Sequence, residues 1–251
     1  MKRRLLILGG TGEARRLAER ALAELGGRLE VVTSLAGRTA EPVPIAGTVR
    51  QGGFGGAGGL ATYLRDNRFD LLIDATHPFA DQISRNAAQA AAATGVPRLA
   101  IVRPPWRRQP GDRWIEVADA PAAAKAVHTL GTRIWLTLGA ADIEEFSPLT
   151  GHWFLVRRVD PPPSPLPLRQ AEILLARGPF ALEDERRILA EWRIDAVVSR
   201  ASGGSATSAK LDAAREAGIP VVLIARPPPP PEPAVPTVEA ALDWLRARLD
   251  A

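Results

Sequence analysis

The chain has 251 residues, which is long enough for one large domain or two small ones. Cysteine is absent, so disulfides, thiolate nucleophiles, zinc–thiolate sites and iron–sulfur clusters are excluded, and with three histidines we expect no metal site. Lys and Arg total 32 against 28 Asp and Glu, but the charges are interspersed, which disfavours nucleic-acid binding. No apolar stretch reaches the roughly 18 residues of a membrane span, so we expect no membrane association.

The first half of the chain alternates apolar runs with longer amphipathic stretches. The pattern predicts strands at 5–8, 29–33, 69–74 and 98–102 and helices at 13–25, 60–67 and 82–94. The first apolar run breaks into glycines after four residues, so it indicates the first strand of a cytoplasmic protein and not a signal peptide. Continuous apolar strands are typical of a parallel sheet that is covered on both faces.

The same alternation restarts after the proline-rich segment 104–111, which cannot continue a helix or a central strand. In the second half we predict strands at 133–138, 153–159, 173–176, 195–199 and 220–224 and helices at 120–130, 183–192, 205–217 and 238–248. The chain is therefore predicted to form two Rossmann-like α/β lobes, 1–110 and 111–251, with parallel sheets and a cleft between them.

A glycine-rich turn joins the first strand to the first helix. Gly9, Gly10, Thr11, Gly12 and Glu13 occupy the position where a dinucleotide-binding fold places the cofactor's pyrophosphate against a helix N-terminus. The fingerprint is incomplete, because its third glycine position holds an arginine. The alternative is an ordinary turn in which a threonine caps the helix.

Ser34 and Arg38 follow the second strand, where a dinucleotide fold meets the adenosine ribose. An acidic residue there selects NAD, whereas a hydroxyl with an arginine accommodates the 2′-phosphate of NADP. No carboxylate is present at this strand end, so the pair favours NADP. The alternative is a capped turn with a surface arginine.

The loop 52–59 contains six glycines in eight residues, with an aromatic residue among them. Such a loop is entropically costly, and it suits a backbone that passes close to a ligand. We therefore expect Gly53, Phe54 and Gly55 to contact the cofactor. A flexible linker is the alternative.

Asp74, Thr76 and His77 come at the carboxyl end of a predicted strand, where open α/β sheets bind their ligands, and Ser84 follows on the next helix. These three are the candidate catalytic residues, which would orient a substrate or donate a proton, and for the histidine we favour orientation. The alternative is a histidine that caps its own turn.

A second glycine-rich turn follows a strand in the second half of the chain. Arg200, Ser202, Gly203 and Gly204 form an anion-binding pattern that leads into a helix containing Lys210. Arg177 precedes another helix of the same half.

Taken together and in this order, these motifs resemble the precorrin-6A reductases and their cobalt-precorrin-6A counterparts in corrin-ring synthesis for cobalamin. The matching segments are 9–13, 34–38, 52–56, 74–80, 103–106, 136–139, 177–180, 202–204, 209–211 and 224–227. One departure is that Arg200-Ala201 stands where the family usually has Lys-Asn.

The resemblance implies NADPH as the cofactor, bound by the N-terminal lobe, and a precorrin-6A or cobalt-precorrin-6A tetrapyrrole in a cleft that the C-terminal lobe completes. It implies reduction of one macrocycle double bond to give precorrin-6B. Ser84, Arg177, Arg200, Lys210 and the turn 202–204 are then expected to bind the substrate. Two alternatives are a two-lobed nucleotide or sugar-nucleotide transferase and a non-enzymatic NADP-binding module. The sequence leaves open whether the ring carries cobalt, and a monomer is the preferred expectation for the oligomeric state.

Overall fold

The computed structural model describes residues 2–37 and 43–250. The chain forms two compact lobes: the first comprises the residues up to Pro104 and those from Pro227 onward, and the second is Pro105–Arg226. Each lobe contains one six-stranded sheet in which every paired strand is parallel to its neighbour. The predicted fold class of two Rossmann-like lobes with parallel sheets is confirmed.

The elements alternate along the chain as a βα pattern requires. In chain order they are β1 (Arg3–Leu8), α1 (Gly12–Leu25), β2 (Leu29–Leu35), β3 (Thr48–Gln51), α2 (Ala57–Asp66), β4 (Leu71–Asp74), α3 (Asp81–Thr94), β5 (Arg98–Ile101), β6 (Trp114–Val117), α4 (Ala120–Val127), β7 (Arg133–Thr137), α5 (Ala140–Ile143), a 3₁₀ turn (Glu144–Phe146), β8 (Trp153–Arg158), β9 (Ala171–Leu175), α6 (Leu182–Glu191), β10 (Ala196–Arg200), α7 (Ala209–Glu216), β11 (Val221–Ile224), β12 (Ala234–Val235) and α8 (Val238–Asp250).

The two sheets share one strand order. The first runs β3-β2-β1-β4-β5-β12 and the second β9-β8-β7-β10-β11-β6. The winding direction reverses between two central strands of each sheet, β1 and β4 in the first and β7 and β10 in the second. In open α/β sheets, ligands bind beyond the carboxyl ends of the strands at such a reversal.

Both faces of the first sheet are buried. Leu5 and Ile7 on β1 belong to the core that α1 and α8 cover, whereas Leu6 and Leu8 belong to the core that α2 and α3 cover. Side chains alternate between the faces of a strand, so a strand covered on both faces needs apolar residues at every position. Each such side chain stabilises the lobe by roughly 1.5–3 kcal/mol. The sheet is therefore a rigid support for the loops at its carboxyl edge.

Three edge strands were not predicted from the sequence. β3 has exposed or half-buried residues throughout and forms one edge of the first sheet. β12 forms the other edge of that sheet, and β6 forms one edge of the second sheet. An edge strand that is half in solvent carries no continuous apolar run, so composition does not reveal it. The helix predicted over 205–217 begins at Ala209, because the preceding residues form turns.

The chain is also divided differently from the predicted boundary at 110. After the proline-rich segment 227–233 it returns to the first lobe, where β12 pairs with β5 and α8 packs on α1. The amide of Val102 donates to the carbonyl of Val235 at 2.8 Å, and that of Ala100 to the carbonyl of Pro233 at 3.1 Å. The edge of β5 thus finds its hydrogen-bond partner in a distant segment. None of the helices in the described ranges combines the length and apolar character of a membrane crossing.

Candidate functional site

The strand register brings four predicted or newly found site positions into one row at the carboxyl edge of the first sheet. Leu8 on β1 pairs with Ser34 on β2 and with Asp74 on β4, and Ser34 in turn pairs with Arg50 on β3. A cavity of about 210 Å³ lies at this edge. The ends of β1 and β2, the glycine-rich loop Gly52–Gly56 and residues of α3 line it.

The turn after β1 caps α1 and leaves the N-terminus of that helix accessible. The Thr11 hydroxyl accepts from the Ala14 amide at 3.1 Å and donates to the Ala75 carbonyl at 2.7 Å. Gly10 has a φ of +103°, which favours glycine, and a Cβ there or at Gly12 would meet no described atom within 4 Å. The first-turn amides of α1 therefore have space beside them, as a bound pyrophosphate requires.

Glu13, in the first turn of α1, faces a buried arginine. Its carboxylate lies 3.7 Å from the Arg103 guanidinium, and both side chains are mostly buried. Burial lowers the pKa of Arg103, and the charge of Glu13 opposes that shift. Glu13 thus holds a cation close to the start of the helix, where the sequence predicted cofactor contact.

Ser34 contacts an arginine that the sequence analysis missed. Arg50 Nη1 donates to Ser34 Oγ at 2.9 Å and to the Gly52 carbonyl at 2.6 Å, and Nη2 donates to the Gly53 carbonyl at 2.9 Å. Arg38, the arginine predicted to act with Ser34, lies outside the described residues. The only signal for Arg50 was its place just before the glycine-rich loop.

The glycine-rich loop is folded. Gly52, Gly55 and Gly56 have φ of +105°, +75° and +95°, and α2 begins at the next residue. The Phe54 ring lies 5.2 Å from the Tyr63 ring and 3.9 Å from the Arg50 guanidinium carbon. Gly53, Phe54 and Gly55 all line the cavity, so the linker alternative does not describe this segment.

Asp74 organises the turn after β4. It is buried, and its Oδ1 accepts from the Thr76 amide at 3.1 Å and from the Thr76 hydroxyl at 2.7 Å. Its Oδ2 is buried without a hydrogen-bond partner among the described residues. Thr76 lines the cavity, and its hydroxyl lies 3.5 Å from that of Ser84, which is almost fully buried on α3. The carboxylate therefore positions Thr76 and does not itself face the cavity.

His77 is held by its own turn, as the alternative interpretation expected. Its Nδ1 accepts from the Phe79 amide at 3.2 Å, and its carbonyl accepts from the Ala80 amide at 2.7 Å. A neutral His77 with this contact carries its proton on Nε2. The side chain is half-buried and is not part of the cavity lining, which leaves its functional role a prediction.

In the second lobe, the turn after β10 is held by side chains from two other segments. Gly203 and Gly204 have left-handed φ of +67° and +77°. Trp106 Nε1 donates to the Gly204 carbonyl at 2.7 Å, and Arg226 donates to the Ser202 carbonyl at 2.9 Å. The carbonyls of this predicted anion-binding turn are thus bound to donors of the same lobe.

Lys210, predicted to bind substrate, is only 4 % exposed. Its Nζ donates to the Thr207 carbonyl at 2.7 Å and lies 5.0 Å from the Trp106 ring centre. Burial, with the nearby charge of Arg157, lowers the pKa of Lys210 to about 7. Arg157 itself forms a buried ion pair with Glu185 at 2.6 Å. The geometry makes Lys210 a support for the turn before α7.

Two further predicted substrate ligands form ion pairs. Arg200 Nε lies 2.7 Å from Asp142, and the Arg177 guanidinium lies 3.7 Å from Asp160. Arg200 is half-buried at the carboxyl end of β10, and Arg177 is exposed after β9. In the described ranges no three histidine or carboxylate side chains converge as metal ligands.

The family model for the precorrin-6x reductases CbiJ/CobK matches residues 4–246. The chain belongs to this family. It is 51% identical over 243 residues to the precorrin-6A reductase of Rhodococcus erythropolis, covering 96% of this chain and 97% of the relative. The solved structure of CobK precorrin-6A reductase superposes with a TM-score of 0.92 at 45% identity and covers 98% of this chain and 96% of that one. The cobalt-precorrin-6A reductase of Salmonella typhimurium is 31% identical, over 90% of this chain and 88% of the relative.

Membership confirms the resemblance that the motifs indicated, and it establishes the chain as a precorrin-6x reductase. The transferase and sensor alternatives are thereby set aside.

Proposed function

We propose that the protein is an NADPH-dependent reductase that saturates one double bond of the metal-free precorrin-6A macrocycle to give precorrin-6B. The single observation that carries the metal-free assignment is the identity of 51% to a precorrin-6A reductase against 31% to a cobalt-precorrin-6A reductase. A reductase of this kind adds a hydride to one ring carbon and a proton to its neighbour. NADPH supplies the hydride when bound.

The first-lobe residues fit a dinucleotide. The start of α1 offers amides beside open space, and the glycine-rich loop lets backbone approach a ligand closely. Gly9 also lines the cavity, and packing against β2 requires glycine there, because a Cβ would stand 2.9 Å from Thr33 Cγ2. Near the end of β2 the Ser34 hydroxyl accepts from Arg50, and within the described ranges it contacts no carboxylate, which favours NADPH over NADH.

His77 is assigned to orientation of the tetrapyrrole. Its Nδ1 already accepts from the Phe79 amide, so protonating that atom would place two donors opposite each other. The neutral form instead offers Nε2–H as a donor to a substrate carboxylate or carbonyl. Asp74 accepts from both donors of Thr76 and so positions the same turn, and Thr76 lines the cavity.

The second-lobe candidates are assigned to the macrocycle's carboxylate side chains. Arg200, the amides of Gly203 and Gly204, and the exposed Arg177 supply positive charge or N–H donors. Lys210 acts through the turn that it supports, because its ammonium is buried.

The test is turnover of precorrin-6A and cobalt-precorrin-6A side by side, with NADPH and NADH as reductants. We expect NADPH oxidation only when the metal-free tetrapyrrole is present, at one mole per mole of product. Equal rates with the cobalt-loaded ring would contradict the metal-free assignment. No NADPH oxidation with either ring would contradict the proposed reaction.

A further inference from the structure

We infer that Arg50 binds the 2′-phosphate of NADPH and thereby sets the preference for NADPH over NADH. The inference rests on the proposed use of NADPH and assigns one residue to the selectivity of that site.

Arg50 lies where the adenosine ribose of a dinucleotide is expected. It is on β3, directly beside Ser34 in the strand register, and Ser34 is the penultimate residue of β2, the strand whose carboxyl end meets that ribose. The Arg50 guanidinium donates to oxygens of Ser34, Gly52 and Gly53. All three of these residues line the cavity. The guanidinium therefore lies at the β3 side of the cavity, within hydrogen-bonding distance of three residues that line it.

The guanidinium is fixed before any ligand arrives. Three hydrogen bonds tie it to Ser34 and to the loop, and it lies 3.9 Å from the Phe54 ring centre and 5.0 Å from that of Tyr63. Arginine stacks on aromatic faces and binds phosphate through its planar fork, and a fixed fork loses little freedom on binding.

The charge of Arg50 is not balanced within the described part of the first lobe. Three other buried or half-buried arginines, Arg103, Arg157 and Arg200, each lie beside a carboxylate, at 3.7, 2.6 and 2.7 Å. The acceptors of Arg50 among the described residues are a hydroxyl and two carbonyls, all neutral. These contacts use three of its five N–H groups, which leaves donors for a phosphate.

The test measures the affinities of NADPH, NADH, adenosine 2′,5′-bisphosphate and ADP for the wild type and for Arg50→Ala. We expect the variant to lose about ten- to a hundredfold in affinity for the two ligands that carry a 2′-phosphate, because a charged hydrogen bond is lost. Affinities for NADH and ADP should stay within about twofold. Arg65→Ala is the matched control, since Arg65 is exposed on α2 and should leave all four affinities unchanged.

Other outcomes separate this inference from the proposed function. Equal losses for all four ligands would show that Arg50 only supports the loop, and unchanged affinities would exclude any role; either result overturns the inference. A wild type that binds NADH as well as NADPH would contradict the NADPH assignment itself. If Arg50→Ala does not fold, Arg50→Lys decides the matter: it keeps the charge but not the fork, so the ratio of NADPH to NADH affinity should fall and NADH binding should persist.

Discussion

Replacing Thr11 by valine should destabilise the first lobe by about 2–3 kcal/mol. The hydroxyl caps α1 by accepting from the Ala14 amide and also donates to the Ala75 carbonyl. Loss of an N-cap costs about 1 kcal/mol, and an unmet partner of a half-buried hydrogen bond costs about 1–2 kcal/mol more. Valine keeps the shape of threonine, so packing contributes little to this difference. Thr11→Ser keeps the hydroxyl and is the matched control.

Two measurements check the magnitude. Urea unfolding gives the free energy of unfolding of both variants, and native-state hydrogen exchange reports the Ala14 amide directly. We expect faster exchange of that amide in Thr11→Val but not in Thr11→Ser. NADPH affinity should fall in parallel, because the hydroxyl also ties the turn after β1 to the end of β4.

Equal unfolding free energies and equal Ala14 exchange in the two variants would refute the stabilising role of the Thr11 hydroxyl. That result would mean that water or a shifted backbone replaces the hydroxyl at no cost. A large loss in both variants would point to the methyl group and not to the hydrogen bonds.

Four other predictions follow from single sites. His77→Asn should reduce kcat and raise KM modestly, without removing a limb of the pH–rate profile near neutrality; loss of that limb would support proton donation instead. Gly55→Ala should cost about 1–2 kcal/mol of stability through its φ of +75° and weaken cofactor binding, whereas normal binding in a folded variant would exclude close backbone contact. Burial, and next the charge of His128, lowers the pKa of His152 below its usual value of 6.5. The neutral His152 side chain therefore contributes to stability above pH 6.5, and this contribution is lost as the pH falls below that value. We expect the urea midpoints of the wild type and of His152→Gln to converge as the pH is lowered from about 7.5 to about 5. Because the pKa of Lys210 is lowered to about 7 from 10.5, wild-type stability should rise between those pH values more steeply than that of Lys210→Met, and parallel curves would contradict this.

Much of the fold could be predicted from the sequence because buried parallel strands need apolar residues on both faces. β1, β4 and β10 are of this kind, and each is followed by a turn and a helix. Glycines at positive φ mark the turns, because other residues avoid that conformation. The glycine-rich turn and the loop 52–56 were therefore visible as site candidates from composition alone.

Other candidates needed the tertiary structure, because their environment comes from distant segments. Lys210 appears in the sequence as a cation on a helix, but Trp106 and Thr207 enclose it. Asp74 appears as a candidate catalytic carboxylate, but its buried Oδ1 accepts both donors of Thr76. Neither burial nor partner is encoded in local periodicity.

What the sequence determined by itself was the alternation of strands and helices, the family, and the glycine-bearing turns, since each depends on residues that are neighbours along the chain. Which strands lie at the sheet edges was decided only in three dimensions. β3 is short and half in solvent, so nothing local marks Arg50 as the neighbour of Ser34. β12 and α8 join the first lobe because the edge of β5 and the face of α1 offer hydrogen bonds and apolar surface to whichever segment reaches them. Pairing between remote segments is settled by such complementarity, which no local pattern contains.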